Sequence, residues 1–339
     1  MHSRLDFVNF LDTTFSSVTS DDDFEHSNLK SYIVESNLPF PPKIDNHTEW
    51  KSIGHNWFVC YNLEDKFIVA DCSDSRIWIL YTIAQVSDTD QAIKQWIGSN
   101  TGLDRCWFSK INFQALEKIF NFQERGIGLK FKNSISNQED PFGFSLKAWY
   151  GSGANPHVEK LFDELKEEFT TTSVRWRKLS GGTTSLRLEC YNYGKITINY
   201  MDDVENTLSS ISQIADLYRR ALIEGEKARD TSRSAFEFNY TQDINLDEYS
   251  QALSKGNNSL KLWMYEYETT PDYRRFTGLD LHNLDRILLD MGHQYAYMSI
   301  PGNGCVNAAP RFATIQGQYA CGDVRVLFEG RDVFDFTQI

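Results

Sequence analysis

Residues 186–200, LRLECYNYGKITINY, decide how this chain folds. Leu186, Leu188 and Cys190 alternate with Arg187, Glu189 and Tyr191, and Tyr193 keeps the polar phase. After Gly194, Ile196 and Ile198 alternate with Lys195, Thr197 and Asn199. A strand has a side-chain period of two, so each run has one dry and one wet face. Asn192–Gly194 turns one strand into the next, and Gly181-Gly182 turns into the first of them.

The same reading extends outward. Val174–Lys178 sets Val174 and Trp176 against Arg175 and Arg177, and Phe144–Tyr150 sets Phe144, Leu146 and Ala148 against Lys147 and Trp149. Asn155-Pro156 supplies an N-cap and a proline for the first helical position, and Val158, Leu161, Phe162, Leu165 and Phe169 form the stripe that follows. A long helix after Asp203 places Val204, Leu208, Ile211, Ala215, Tyr218 and Leu222 at spacings of three and four. Asp202-Asp203 suits the dipole at its start.

The expected fold class is therefore α+β, with antiparallel sheets, helices packed on one face, and two or three related strand–helix–strand units. Residues 1–45 read as an acidic arm or linker, with a short helix at Leu5–Val18, then Asp21-Asp22-Asp23 and three prolines. Residues 46–133 read as a first α+β unit, with strands at Trp57–Asn62, Phe67–Asp71, Arg76–Ala84 and Gly128–Lys132 and helices at Asp88–Gly98 and Ile111–Gln123. A polar loop at 134–143 precedes a central unit at 143–230, and the charged run Glu226–Arg233 follows it. A C-terminal α+β unit at 257–339 is expected to contain a helix at Asp280–Met291 and strands at Arg311–Gln316 and Val324–Phe328. Ser259-Leu260-Lys261-Leu262-Trp263 echoes Ser145-Leu146-Lys147-Ala148-Trp149, which suggests an internal repeat.

If the four alternating strands share a sheet, their wet faces gather Lys147, Arg175, Arg177, Arg187 and Lys195, opposed by Glu189, with Trp149, Tyr191 and Tyr193 among them. Cations that meet phosphates and rings on which bases stack are what single-strand binders combine. The net charge of −13 opposes a chain coated in nucleic acid, but a local basic face acts within a Debye length of roughly 8 Å. The leading expectation is a non-enzymatic binding module that meets single-stranded nucleic acid on this face. The alternative is an interaction protein whose sheet faces pack on a protein partner or in a homo-oligomer.

A further alternative is a hydrolase using Cys305, in the loop Pro301–Cys305, with His293, Asn303, Asn307 and Asp290 near it in sequence. Gly151-Ser152-Gly153 reads as a tight turn into a helix. The six cysteines form no Cys-x-x-Cys pair, and the seven histidines show no metal-ligand spacing, so neither a metal nor any other cofactor is expected. Without a leader-like N-terminus or an apolar run of about 18 residues, the expectation is a cytoplasmic chain that does not enter a membrane.

Leu186–Tyr191, the turn ending in Gly194-Lys195, Ile196–Asn199 and the helix from Asp203 resemble the second part of a TATA-binding-protein half repeat. The resemblance covers 186–228 and implies a helix-on-sheet unit for 143–230, with Tyr191 where that family often has an intercalating Phe. Arg311-Phe312-Ala313 and Leu327–Arg331 are similar to the same pattern.

Overall fold

A computed structural model describes all residues except 19–27, 45–48, 62–66, 133–134, 136–142, 151–155, 233, 257–258 and 320–321. The acidic triplet at 21–23, the Gly151–Gly153 turn and the Asn155 cap lie outside the described residues. In chain order the first elements are α1 (Arg4–Phe15), β1 (Leu29–Ser36), β2 (Lys51–Gly54), β3 (Trp57–Tyr61), β4 (Phe67–Asp71), β5 (Ile77–Thr82), α2 (Val86–Ser99) and β6 (Leu103–Arg105). Then come α3 (Lys110–Phe120), β7 (Gln123–Phe131), β8 (Phe144–Trp149), α4 (Pro156–Glu168), β9 (Thr170–Ser180), β10 (Thr183–Tyr191), β11 (Lys195–Met201) and α5 (Val204–Thr231). The last are β12 (Phe236–Asn239), α6 (Leu246–Ser254), β13 (Leu262–Thr269), β14 (Tyr273–Asp280), β15 (Arg286–Gly292), β16 (Tyr295–Ser299), α7 (Ala308–Gly317), β17 (Leu327–Phe328) and β18 (Arg331–Asp332). The fold is α+β, and its strands fall into two antiparallel sheets.

Two compact units form, each from separated stretches of chain. The first takes Met1–Cys106, Leu116–Glu124 and Arg175–Arg219, and the second takes Trp107–Ala115, Arg125–Val174 and Arg220–Ile339. These units cut across the consecutive segments read from the sequence.

In the first unit the strand order is β2-β3-β4-β5-β1-β11-β10. An interior strand, β1, comes from the segment read as an acidic arm or linker, and all eight of its residues are buried. Its alternation is hidden because both faces are covered, so Lys30, Ser31, Glu35 and Ser36 are as buried as Ile33 and Val34. β5 runs along one edge of β1, while β11 and β6 share the other. Gly194 sits where they meet, at φ +81°, and a Cβ there would fall 2.7 Å from the Ile33 carbonyl oxygen. That close approach is why the turn before Lys195 requires glycine.

Helices cover both faces of this sheet. Phe7 of α1 packs on Trp57 and Tyr81, with ring centroids 6.1 and 5.6 Å away. Arg4 of α1 bonds Glu205 of α5 at 2.9 Å, which ties together the two helices on that side. On the other side α2 lays Ile93, Trp96 and Ile97 against Tyr32, Val34, Trp78 and Leu80. Each such large apolar side chain contributes about 1.5–3 kcal/mol on burial. Trp176 of β9 stacks on Phe122 at 5.2 Å and donates its indole N–H to Glu117 at 2.8 Å.

In the second unit the strand order is β13-β14-β15-β16-β12-β17-β18. Leu262, Met264, Phe276, Leu289, Met298 and Phe238 line its buried face, where Phe312 of α7 meets Phe238 at 4.7 Å. α7 is buried along its whole length, Arg311, Thr314 and Gln316 included, so no wet stripe reveals its helical period. That is why Arg311–Gln316, expected as a strand, is helix. The expected helix at Asp280–Met291 is instead a turn and strand β15, because Ile287, Leu289 and Met291 satisfy a period of two as well as the longer spacing. Leu284 holds φ +62° in that turn. The expected equivalence of Trp149 and Trp263 therefore fails, since α4 follows β8 whereas β14 follows β13.

Candidate functional site

The hairpin between β10 and β11 brings Tyr191, Tyr193 and Lys195 together, as the alternation implied. The Gly194 N–H closes the turn on the Tyr191 carbonyl at 3.1 Å, and the two tyrosine rings lie 5.4 Å apart. Lys195 begins β11 opposite Tyr32 of β1. Its ammonium lies 5.2 Å from the Tyr191 ring and 2.5 Å from Asp90 of α2. The second oxygen of Asp90 accepts the Tyr32 hydroxyl. One carboxylate on a covering helix thus joins two neighbouring strands.

Burial sets the electrostatics. The phenols of Tyr32, Tyr191 and Tyr193 are all pushed up, first by burial and further by nearby Asp90. Lys30, whose ammonium bonds the Ala84 carbonyl, is pushed down to about 8 by burial and by the charge of Lys195. The Arg105 guanidinium lies 5.0 Å from the Tyr193 ring centroid. Burial lowers its proton affinity, while Tyr193, Asp104 and Asp90 raise it.

Beside this cluster is a cavity of about 610 Å³. Tyr32, Ile93 and Ile97 make its buried floor, Arg105, Asp90 and Tyr193 its wall, and exposed Lys94 its rim. The volume falls in the range of roughly 300–1,000 Å³ occupied by small-molecule sites.

The remaining expected site residues are placed differently. Arg175 and Lys195 are buried, so the row of cations is not a continuous wet face. The reason is α2, which covers the side of the sheet that carries Lys195. Arg177 is half-buried and donates to Gln123 at 3.3 Å, and Arg187 is half-buried. Lys147 and Trp149 belong to the second unit, exposed on β8, where the Trp149 ring lies over Gly126. Sequence reasoning missed Tyr32, Asp90 and Arg105. The usable signal was the stripe Ile93, Trp96 and Ile97, which needs a sheet face to cover.

Cys60, Cys72, Cys106, Cys190 and Cys305 are all buried. His293, the expected partner of Cys305, has its two ring nitrogens 3.2 and 3.3 Å from the carbonyls of Ile244 and Pro271. The histidine near Cys305 is His282, with ligand atoms of the two side chains within 4.8 Å and both residues buried. No helix among the described residues is long and apolar enough to cross a membrane.

These features define an α+β protein of two interleaved units with a charged, tyrosine-lined cavity. The chain belongs to the MJECL33-like protein family, whose model matches residues 5–332. It is similar to the uncharacterized protein MJECL33 of Methanocaldococcus jannaschii, at 20% identity over 87% of this chain and 85% of that protein. No solved structure matches it.

Proposed function

We propose that this protein is a non-enzymatic binding module and that its ligand site is the cavity between Tyr32, α2 and Tyr193. The ligand is small, planar and anionic, of the size of a nucleotide or the end of a single nucleic-acid strand. The observation that carries this reading is the Arg105 guanidinium over the Tyr193 ring at the cavity wall. Asp90, the carboxylate lining the cavity, is matched by Lys195 and Tyr32, and Arg105 and Lys94 bring two cations to the same lining. A guanidinium suits a phosphate by its bidentate fork, and a tyrosine ring accepts a base of any identity.

Titration with mononucleotides and short oligonucleotides at low salt tests this reading. Binding should weaken with salt, with a slope near −0.7 per phosphate neutralised on a single strand. Arg105→Ala should abolish most of the salt dependence, and Tyr193→Ala should cost about 1–3 kcal/mol. Absence of binding at low salt, or equal binding by both variants, removes the proposal.

A further inference from the structure

The seven-stranded sheet of the second unit buries one face and leaves the other open. On β13, Trp263 is 55% exposed and Tyr265 70%; on β16, Tyr295 and Tyr297 are 37% and 42% exposed. The register puts these rings on one face. Tyr265 pairs with Thr277, Thr277 with Leu288, and Leu288 with Ser299. In the adjacent row Arg275 pairs with Asp290, and Asp290 with Tyr297. Two aromatic rows therefore flank a mixed strip that carries Arg275, Thr277 and Asp290 beside Leu279 and Leu288, separated by three strand spacings of about 4.8 Å each.

Trp263 and Tyr295 are held in place by their neighbours. The Trp263 indole N–H donates to the Ser254 carbonyl at 3.1 Å, and the ring lies against Gly256, where an added Cβ would come within 3.2 Å of it. Tyr295 lies over Gly292 in the same manner, and its ring is 5.5 Å from that of Tyr297. A groove of about 430 Å³ runs between Trp263, Tyr265, Thr277 and Leu279. Fixed rings lose little freedom when a ligand settles on them.

The charges on the strip select the class of ligand. Arg275 is paired with both Glu268 at 2.9 Å and Asp290 at 3.3 Å. By register the same face also carries Arg286, Glu237 and Asp332, so its carboxylates are not outnumbered by cations and it does not attract a polyanion. The core of a protein interface is depleted of charged groups, whereas this one has an Arg–carboxylate network at its centre. A ligand with one apolar side and many hydroxyls satisfies both features. The face of an aromatic ring is negative, so the C–H-bearing side of a sugar ring settles on it. The hydroxyls of the same sugar can then bond Arg275, Asp290 and Thr277. We infer that the open face of this sheet binds an uncharged oligosaccharide across the Trp263–Tyr265 groove.

Calorimetric titration of the full chain with cello-, xylo-, manno- and N-acetylchito-hexasaccharides tests the inference, with a thymidine oligonucleotide and an extended peptide as comparators. At least one hexasaccharide should bind, with an affinity that does not change with salt. Trp263→Ala and Tyr265→Ala should each weaken it about tenfold, Trp263→Phe less, and Arg105→Ala in the other unit not at all. Both aromatic side chains are mostly exposed, so the variants should keep the wild-type thermal transition. Failure of every hexasaccharide to bind, binding unchanged in both alanine variants, or binding of the oligonucleotide or peptide alone overturns it.

Discussion

Arg311 and Asp280 meet at 2.5 Å with each side chain only 1% exposed. The Arg311 guanidinium also donates to the Leu260 carbonyl at 3.0 Å, and Asp280 accepts the His282 N–H at 3.0 Å. Removing one partner of a buried pair leaves the other charge uncompensated, at a cost of about 3–5 kcal/mol. Arg311→Met should destabilise the second unit by that amount in urea unfolding. Adding Asp280→Asn, which removes the stranded charge but keeps an acceptor for His282, should recover part of the loss. A single variant as stable as the wild type would show that the pair is not buried.

Leu188 is 1% exposed on the face of β10 opposite Glu189. Leu188→Ala should cost about 2–5 kcal/mol, as other buried leucine deletions do. Arg187→Ala, at a half-buried neighbour, should cost less. Equal losses in chemical denaturation would contradict the face assignment.

Lys30 is lowered from an ordinary 10.5 to about 8 by burial, with Lys195 adding to the shift. Between those two values the unfolded chain binds more protons than the folded one, so stability rises with pH through the window. The penalty is complete below about 8 and relieved towards 10.5. Lys30→Met has no such penalty, so its advantage over the wild type should shrink as pH rises. Urea midpoints of both proteins across this window give the comparison, and a constant difference would refute the assignment.

Asp332 is raised from 3.8 to about 6, mainly by burial, with Asp335 adding to the shift. Here the folded chain binds more protons between the two values, so this group's contribution to stability falls as pH rises through them. Asp332→Asn keeps an acceptor for the Phe334 N–H, which Asp332 now holds at 3.1 Å. The variant should be more stable than the wild type above about pH 6 and lose that advantage below 3.8. Thermal unfolding at the two ends of the window checks the sign.

The strands β9, β10 and β11 were legible because a period of two is written in neighbouring residues. What covers them was not. Lys195 and Arg175 carry charge, and a charged side chain on an alternating strand reads as wet. Lys195 is buried because Asp90, 105 residues away in sequence, supplies its counter-charge at 2.5 Å. β1 was illegible for the same reason, since it has no solvent face whose polar residues could mark the phase. α7 lost its period through complete burial. The gathering of Tyr191, Tyr193 and Lys195 was legible because one short hairpin holds all three, whereas Tyr32, Asp90 and Arg105 reach the site only through long-range pairing.

The position of β1 also dictates an order of assembly. β13, β14 and β15 each pair with the next strand in sequence, so that part of the sheet zips from consecutive hairpins and has little loop entropy to overcome. β1 finds β5 early, but its other edge pairs Leu29–Tyr32 with Ile198–Lys195. During synthesis that edge must wait while the intervening chain emerges, and an unpaired strand edge is a template for the wrong partner. The first unit is thus the aggregation-prone part of a nascent chain, and its hazard ends when the β10–β11 hairpin arrives.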